Sequence, residues 1–255
     1  LEFRRVLFRS WALFDFANSA YATLILFFIF PVYFKEAIVG GANGEFYWGL
    51  LISISILLGG IASPVVGAVA DFDQKRKSKF VLFTFIAVVG TGLLYFSGPS
   101  LLLFSAVLFG LTNVFFELAQ TLYDSFLVRI ATDSTAGRIS GFAWGLGYLG
   151  GIVAMLLFRP LYAGGFEGSA ESLYKLTFPC VALFFLIFSL PSFRYLKEDR
   201  NVKRQKRIGN LLKIGFSRVT KTLKHIKKHR HIAWFLAAFY FLNDALVTLF
   251  TFLAD

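Results

Sequence analysis

Seven long apolar runs, separated by short polar segments, set the pattern of this chain: about 11–34, 46–70, 80–96, 101–128, 139–158, 176–190 and 234–254. At ~1.5 Å per residue as helix, the longer runs reach or exceed the ~30 Å hydrocarbon core of a bilayer, so each is predicted to be a membrane-spanning helix. The polar breaks carry turn and loop chemistry. Lys35–Glu45 is a Gly-rich loop, Asp71–Lys79 (DFDQKRKSK) a charged hinge, Ser97-Gly98-Pro99-Ser100 a tight turn and Tyr162–Lys175 an outer loop, while Pro191 is expected to stop the sixth run. The fold class is therefore an all-α, polytopic membrane helical bundle.

Polar side chains inside these runs are the candidate chemistry. An ionisable group within a span costs about 2.5–3.5 kcal/mol on insertion scales, so it faces a bundle interior or an aqueous path. Asp15 and Asn18 lie in the first run, and Asn243 and Asp244 in the seventh, where Asp244 falls near the midplane. In the fourth run Asn113, Glu117, Gln120 or Thr121, and Asp124 form one polar stripe at helical spacing. Ser55, Gly59, Ser63, Gly67 and Asp71 recur every fourth residue of the second run, a ridge of small side chains that permits close helix approach. The fifth run offers two further small pairs, Gly141/Gly145 and Gly147/Gly151, and an aromatic pair one turn apart, Trp144 and Tyr148. Each feature has a structural alternative: Asp15 as a helix-terminal anion, the stripe as interhelical hydrogen bonding, the aromatic pair as packing.

Composition narrows the reading. The chain is 57% hydrophobic with 33 Phe and 16% charged residues, too apolar for a soluble domain of this length. Its single Cys180 excludes an internal disulfide, and its three His residues, His225, His229 and His231, all lie between runs six and seven. With no His, metal-ligand pair or nucleophile beside a base in the spans, neither cofactor nor metal is expected, which argues against a membrane-embedded enzyme. The formal charge of +11 has to be read by position. Setting aside residues 1–10, twenty Lys/Arg fall at the ends of spans on one side, fourteen of them between Arg194 and Arg230, against Lys35, Arg159 and Lys175 on the other. That asymmetry places the N-terminus and the basic segment in the cytoplasm. Within the segment 194–232, Ile208, Leu211, Leu212, Phe216, Val219, Leu223 and Ile226 recur at helical spacing. It is predicted to be an amphipathic connector lying on anionic lipid headgroups, and no aromatic platform supports nucleic-acid binding.

The motifs carry a family resemblance. Gly67-x-x-x-Asp71 followed by Arg76-Lys77 resembles the loop signature between helices two and three of the major facilitator superfamily, with Phe72 where a basic residue is usual and Gln74 where Gly is usual. The blocks at 11–34, 137–151 (GRISGFAWGLGYLGG) and 241–249 (FLNDALVTL) resemble its autophagy-related vacuolar effluxer branch, named for vacuolar amino-acid exporters. The resemblance implies a major facilitator fold: a six-helix N-terminal domain at 11–193, the connector at 194–232, and at 233–255 the first helix of a truncated second half. Residues 1–10, LEFRRVLFRS, resemble a translated sequencing adapter and are set aside. It further implies a secondary transporter, monomeric when full length, moving a small solute by alternating access about a midplane site. Asp15, Asn18, Asn113, Glu117, Trp144, Tyr148, Asn243 and Asp244 would line the substrate or proton pathway, where a carboxylate carries a proton or pairs with a substrate ammonium. Gly67, Asp71, Arg76, Lys77, Asp124 and Arg138 would form the cytoplasmic gate. The membrane would be a microbial plasma membrane, or a vacuole-like organelle membrane. A seven-span receptor is the other alternative, and the long basic connector argues against it.

Overall fold

The computed structural model describes residues 2–132, 134–197 and 230–253; the connector expected at 194–232 falls largely outside them, as do the side chains of Asp71 and Asn243. The first span, Val6–Val39, comprises α1 (Glu2–Ala20), a π-helical stretch Tyr21–Phe28, α2 (Ile29–Val32) and a second π-helical stretch Tyr33–Val39. Pro31 sits between the two wide stretches. It lacks an N–H and its ring collides with the carbonyl four residues back, which loosens the local winding. Then follow α3 (Gly44–Asp73), α4 (Arg76–Leu93), α5 (Leu102–Ile130), α6 (Ala136–Tyr162) and α7 (Ala170–Tyr195). Six helices are thus long and apolar enough to cross a membrane among the described residues. The seventh helix, α8 (Arg230–Leu253), belongs to a second compact unit, 208–255, distinct from the unit 1–207 that holds the other spans.

Helix existence follows the apolar runs; several ends do not. The charged hinge shrinks to Gln74 and Lys75, because Asp71–Asp73 continue α3 and Arg76–Lys79 open α4. The polar loop after the first span begins only at Gly40, since Lys35–Val39 stay helical. Nor does Pro191 stop the sixth span: α7 contains both Pro179 and Pro191 and runs on to Tyr195. In all three places backbone hydrogen bonding is worth more near a membrane than the local signal against helix, and neighbouring helices re-satisfy the groups a proline frees. Glu2–Ser10, set aside on sequence, are wound into α1, with the Phe8 ring 5.4 Å from that of Phe142.

The core accounts for much of the phenylalanine. Phe14, Tyr21, Phe30, Phe80, Phe109, Phe178 and Phe185 are buried, and tilted or edge-on rings recur among them, as for Phe14 on Phe80 at 4.7 Å. Leucine, isoleucine and further phenylalanine cover the outer faces of α3, α5 and α6, the arrangement expected of helices solvated by lipid.

Candidate functional site

Two seams set the site. In the first, α3 and α5 run parallel with the same offset at three successive levels. Asn113 Nδ2 donates to Ser55 Oγ at 3.0 Å; a Cβ on Gly59 would lie 3.2 Å from Glu117 Cβ; and Ser63 Oγ stands 3.0 Å from Thr121 Oγ1. The small ridge predicted on the second run therefore faces the polar stripe predicted on the fourth. It does so only as far as Ser63: a Cβ on Gly67 would meet nothing within 4 Å.

The second seam joins α1 to α6. Here glycine is required by contact, because a Cβ on Gly150 would stand 2.1 Å from the Phe16 carbonyl oxygen, and one on Gly151 2.5 Å from Thr23 Oγ1. A Cβ on Gly147 would approach Ser19 Oγ to 2.9 Å and Asp15 Cγ to 3.5 Å, so α6 forms the wall directly behind Asp15. Gly147/Gly151 thus pack as expected, with Gly150, which the small-pair spacing passed over, as the tightest point. Gly141 and Gly145 lie exposed with open space around them, away from this seam.

Antiparallel to α1, α5 completes the site. Trp11 Nε1 donates to the Tyr123 carbonyl at 3.2 Å, Tyr123 Oη donates back to the Trp11 carbonyl at 3.1 Å, and the two rings stack at 4.7 Å. This reciprocal clasp sets the level of Asp15, one turn beyond Trp11, against Asp124, the neighbour of Tyr123. Between them, Asn18 Nδ2 donates to Gln120 Oε1 at 2.7 Å and Gln120 Nε2 to Asp124 Oδ1 at 3.2 Å. Deeper in, Tyr21 Oη donates to Asn113 Oδ1 at 3.5 Å. Asp15, Asn18 and Asn113 are buried, Glu117 half-buried and Asp124 exposed. Asp15 lies within electrostatic reach of Asp124, and Glu117 of both Asp124 and Tyr21. Among the described residues, no Lys or Arg forms an ion pair with any of these three carboxylates.

Asp124, expected among the gate residues, is thereby linked through Gln120 to Asn18. Of the other gate residues, Arg76 opens α4 and donates from Nη1 to the Ser125 carbonyl at 3.4 Å, one residue from Asp124; Lys77 follows it in the same turn, Asp71 lies in the last turn of α3, and Arg138 is exposed at the start of α6. Gln74, at the usual glycine position of the loop motif, takes φ 58° and ψ 21° as the C-cap of α3. The left-handed turn is retained, with a residue less suited to it. Trp144 and Tyr148 are exposed on one face of α6, edge to face at 6.2 Å. Asp244 is exposed on α8.

At the opposite end of the bundle the Glu171 carboxylate and several other polar groups are paired. Tyr33 Oη donates to Glu171 Oε1 at 2.7 Å and lies 3.3 Å from the Ser97 carbonyl, Tyr174 Oη donates to the Ile29 carbonyl at 2.8 Å, and Lys175 Nζ stands 3.7 Å from Glu171 Oε1. Lys35 and Glu45 form a salt bridge at 2.7 Å. The sequence offered no signal for the Tyr33–Glu171 bond, which joins a tyrosine inside an apolar run to a residue assigned to a loop.

Residues 1–155 match the family model described as Major Facilitator Superfamily, and residues 128–254 the model described as Vacuole effluxer Atg22 like. The chain is 27% identical over 250 residues to the uncharacterized MFS-type transporter YxiO of Bacillus subtilis (strain 168), covering 95% of this chain and 58% of that protein. It is 25% identical over 185 residues to the multi-drug resistance efflux pump PmrA of Streptococcus pneumoniae serotype 4, covering 72% of this chain and 43% of the pump. Among solved structures, the proton:xylose symporter XylE bound to 6-bromo-6-deoxy-D-glucose superposes with a TM-score of 0.53 at 15% identity, over 89% of this chain and 53% of that one. The chain spans about half the length of these proteins.

Proposed function

The chain belongs to the major facilitator superfamily, and from that premise we propose that it supplies the first six-helix half, and the opening helix of the second, of a secondary transporter that moves a small solute by alternating access. The observation that carries this reading is the trio Asp15, Glu117 and Asp124, held on two spans around the Asn18–Gln120 bridge with no basic partner among the described residues. Carboxylates kept in a membrane without a counter-charge are costly to insert, and their ordinary use is to take a cation from the solute or a proton from the solution. The solute is therefore one with an ammonium or other cationic group, an amino acid being the simplest, and efflux is the direction that the names of PmrA and of the Atg22-like family favour. Proton coupling would run through the same carboxylates. Asp244, on the helix that opens the second half, would be a further carboxylate of the transport mechanism, and the basic end would face the cytoplasm by the excess of Lys/Arg there.

The test is flux by the full-length transporter in proteoliposomes under an imposed proton gradient. Asp15→Asn and Asp244→Asn should each cut gradient-driven amino-acid flux at least ~10-fold at unchanged expression, the usual scale for removing an ionic partner. Undiminished flux in both variants would remove the carboxylates from the mechanism.

A further inference from the structure

At the end of the bundle remote from the acidic trio, the turn after α4 and the first turns of α7 border an open cavity of about 260 Å³ lined by Tyr95, Phe96, Glu171, Ser172 and Lys175. We propose that this cavity is a binding site for a small zwitterionic head group, with Glu171 receiving a primary ammonium and Lys175 the attached anion. The two charges lie one helical turn apart, with Lys175 Nζ 3.7 Å from Glu171 Oε1. That is near enough for mutual neutralisation and too long for a hydrogen bond, so a zwitterion entering between them gives each charge a closer partner and strands neither. The carboxylate is held from behind: Tyr33 Oη donates to it at 2.7 Å, and the Tyr33 ring is itself lodged against Tyr174 and Phe178. Tyr95 and Phe96, perpendicular at 5.4 Å, supply an aromatic wall for the methylene groups or the ammonium of the guest. A free α-amino acid and the head group of an ethanolamine phospholipid share this chemistry. A choline head group does not, because its quaternary nitrogen has no N–H to donate.

The readout is binding rather than flux, so the site stands or falls apart from the transport reading. The chain in phosphatidylcholine nanodiscs is titrated with L-alanine by calorimetry, and in a second arm the phosphatidylethanolamine it retains from a mixed bilayer is measured by native mass spectrometry. Saturable L-alanine binding identifies a free amino acid as the guest, and selective retention of phosphatidylethanolamine a lipid. In either case Glu171→Gln and Lys175→Met should weaken binding about tenfold, the loss of one charge-assisted contact. Tyr95→Ala, which removes part of the wall without touching a charge, should weaken it less, whereas Glu45→Gln, whose partner is Lys35, should leave it unchanged. Binding of neither probe above the phosphatidylcholine background, or equal binding by the wild type and by monodisperse Glu171→Gln and Lys175→Met proteins, overturns the proposal.

Discussion

The two ends of this bundle treat their carboxylates in opposite ways. Around Tyr33 the carboxylate of Glu171 has a phenol donor from another span and a lysine one turn away. Around Asp15 the bridge from Asn18 through Gln120 reaches Asp124, and among the described residues no Lys or Arg forms an ion pair with Asp15, Glu117 or Asp124. A fold selected for stability alone would cancel charge at both ends, because an uncompensated carboxylate in a membrane raises the free energy of the folded state. The difference separates a carboxylate that already has a phenol donor and a lysine beside it from three that, among the described residues, form no ion pair.

The comparison breaks most completely if the wall behind Asp15 is pushed away. Gly150→Val would drive a side chain into the Phe16 carbonyl, where no flexible group can yield, and overpacking against backbone costs several kcal/mol. The expected result is loss of monodisperse protein after detergent extraction, whereas Gly141→Val, which points into open space, should extract normally. A smaller effect sharpens the contrast between the ends. Tyr33→Phe should lower stability by about 1–2 kcal/mol in a reversible SDS or thermal unfolding titration, since it leaves Glu171 without its buried donor. Asp124→Asn, by removing a charge that has no ionic partner among the described residues, should leave stability within ~0.5 kcal/mol of the wild type or raise it. An equal loss in both variants would mean that the acidic end is as structurally committed as the other. The smallest effect lies in the α3–α4 turn, where Gln74→Gly should gain up to ~1 kcal/mol by relieving a left-handed backbone conformation, read by the same titration.

Sequence alone carried the architecture further than the contacts. The spans were legible because a bilayer imposes length and apolarity together, and Asp15 and the Asn113–Asp124 stripe were legible because a polar residue in such a run is expensive. Their partners were not. Which helix the Ser55 ridge faces depends on tertiary packing, and Gln120, though on the stripe, was left out of the site because only the crossing angle of α1 and α5 brings it to Asn18. Nothing in the sequence pairs Trp11 with Tyr123, whose reciprocal bonds to one another's backbone arise only from the packing of α1 on α5. The π-helical winding around Pro31 has no pattern of its own, since the apolar residues there cover every face. Span ends were misplaced where charged residues extend a helix into the headgroup region, as Arg76–Lys79 do in α4.

The parallel seam of α3 and α5 also limits how the length of the chain can change. Asn113, Glu117 and Thr121 each meet a residue of α3 the same distance back along the sequence. A residue inserted or deleted within either helix between those levels would rotate everything beyond it by ~100°, turning later rungs away from their partners. The same change at Gln74–Lys75, or in the turn from Ser97 to Ser100, moves no rung relative to another within its own helix. Related chains that differ in length should therefore place their gaps in those two turns and keep the stretches 55–63 and 113–121 free of them.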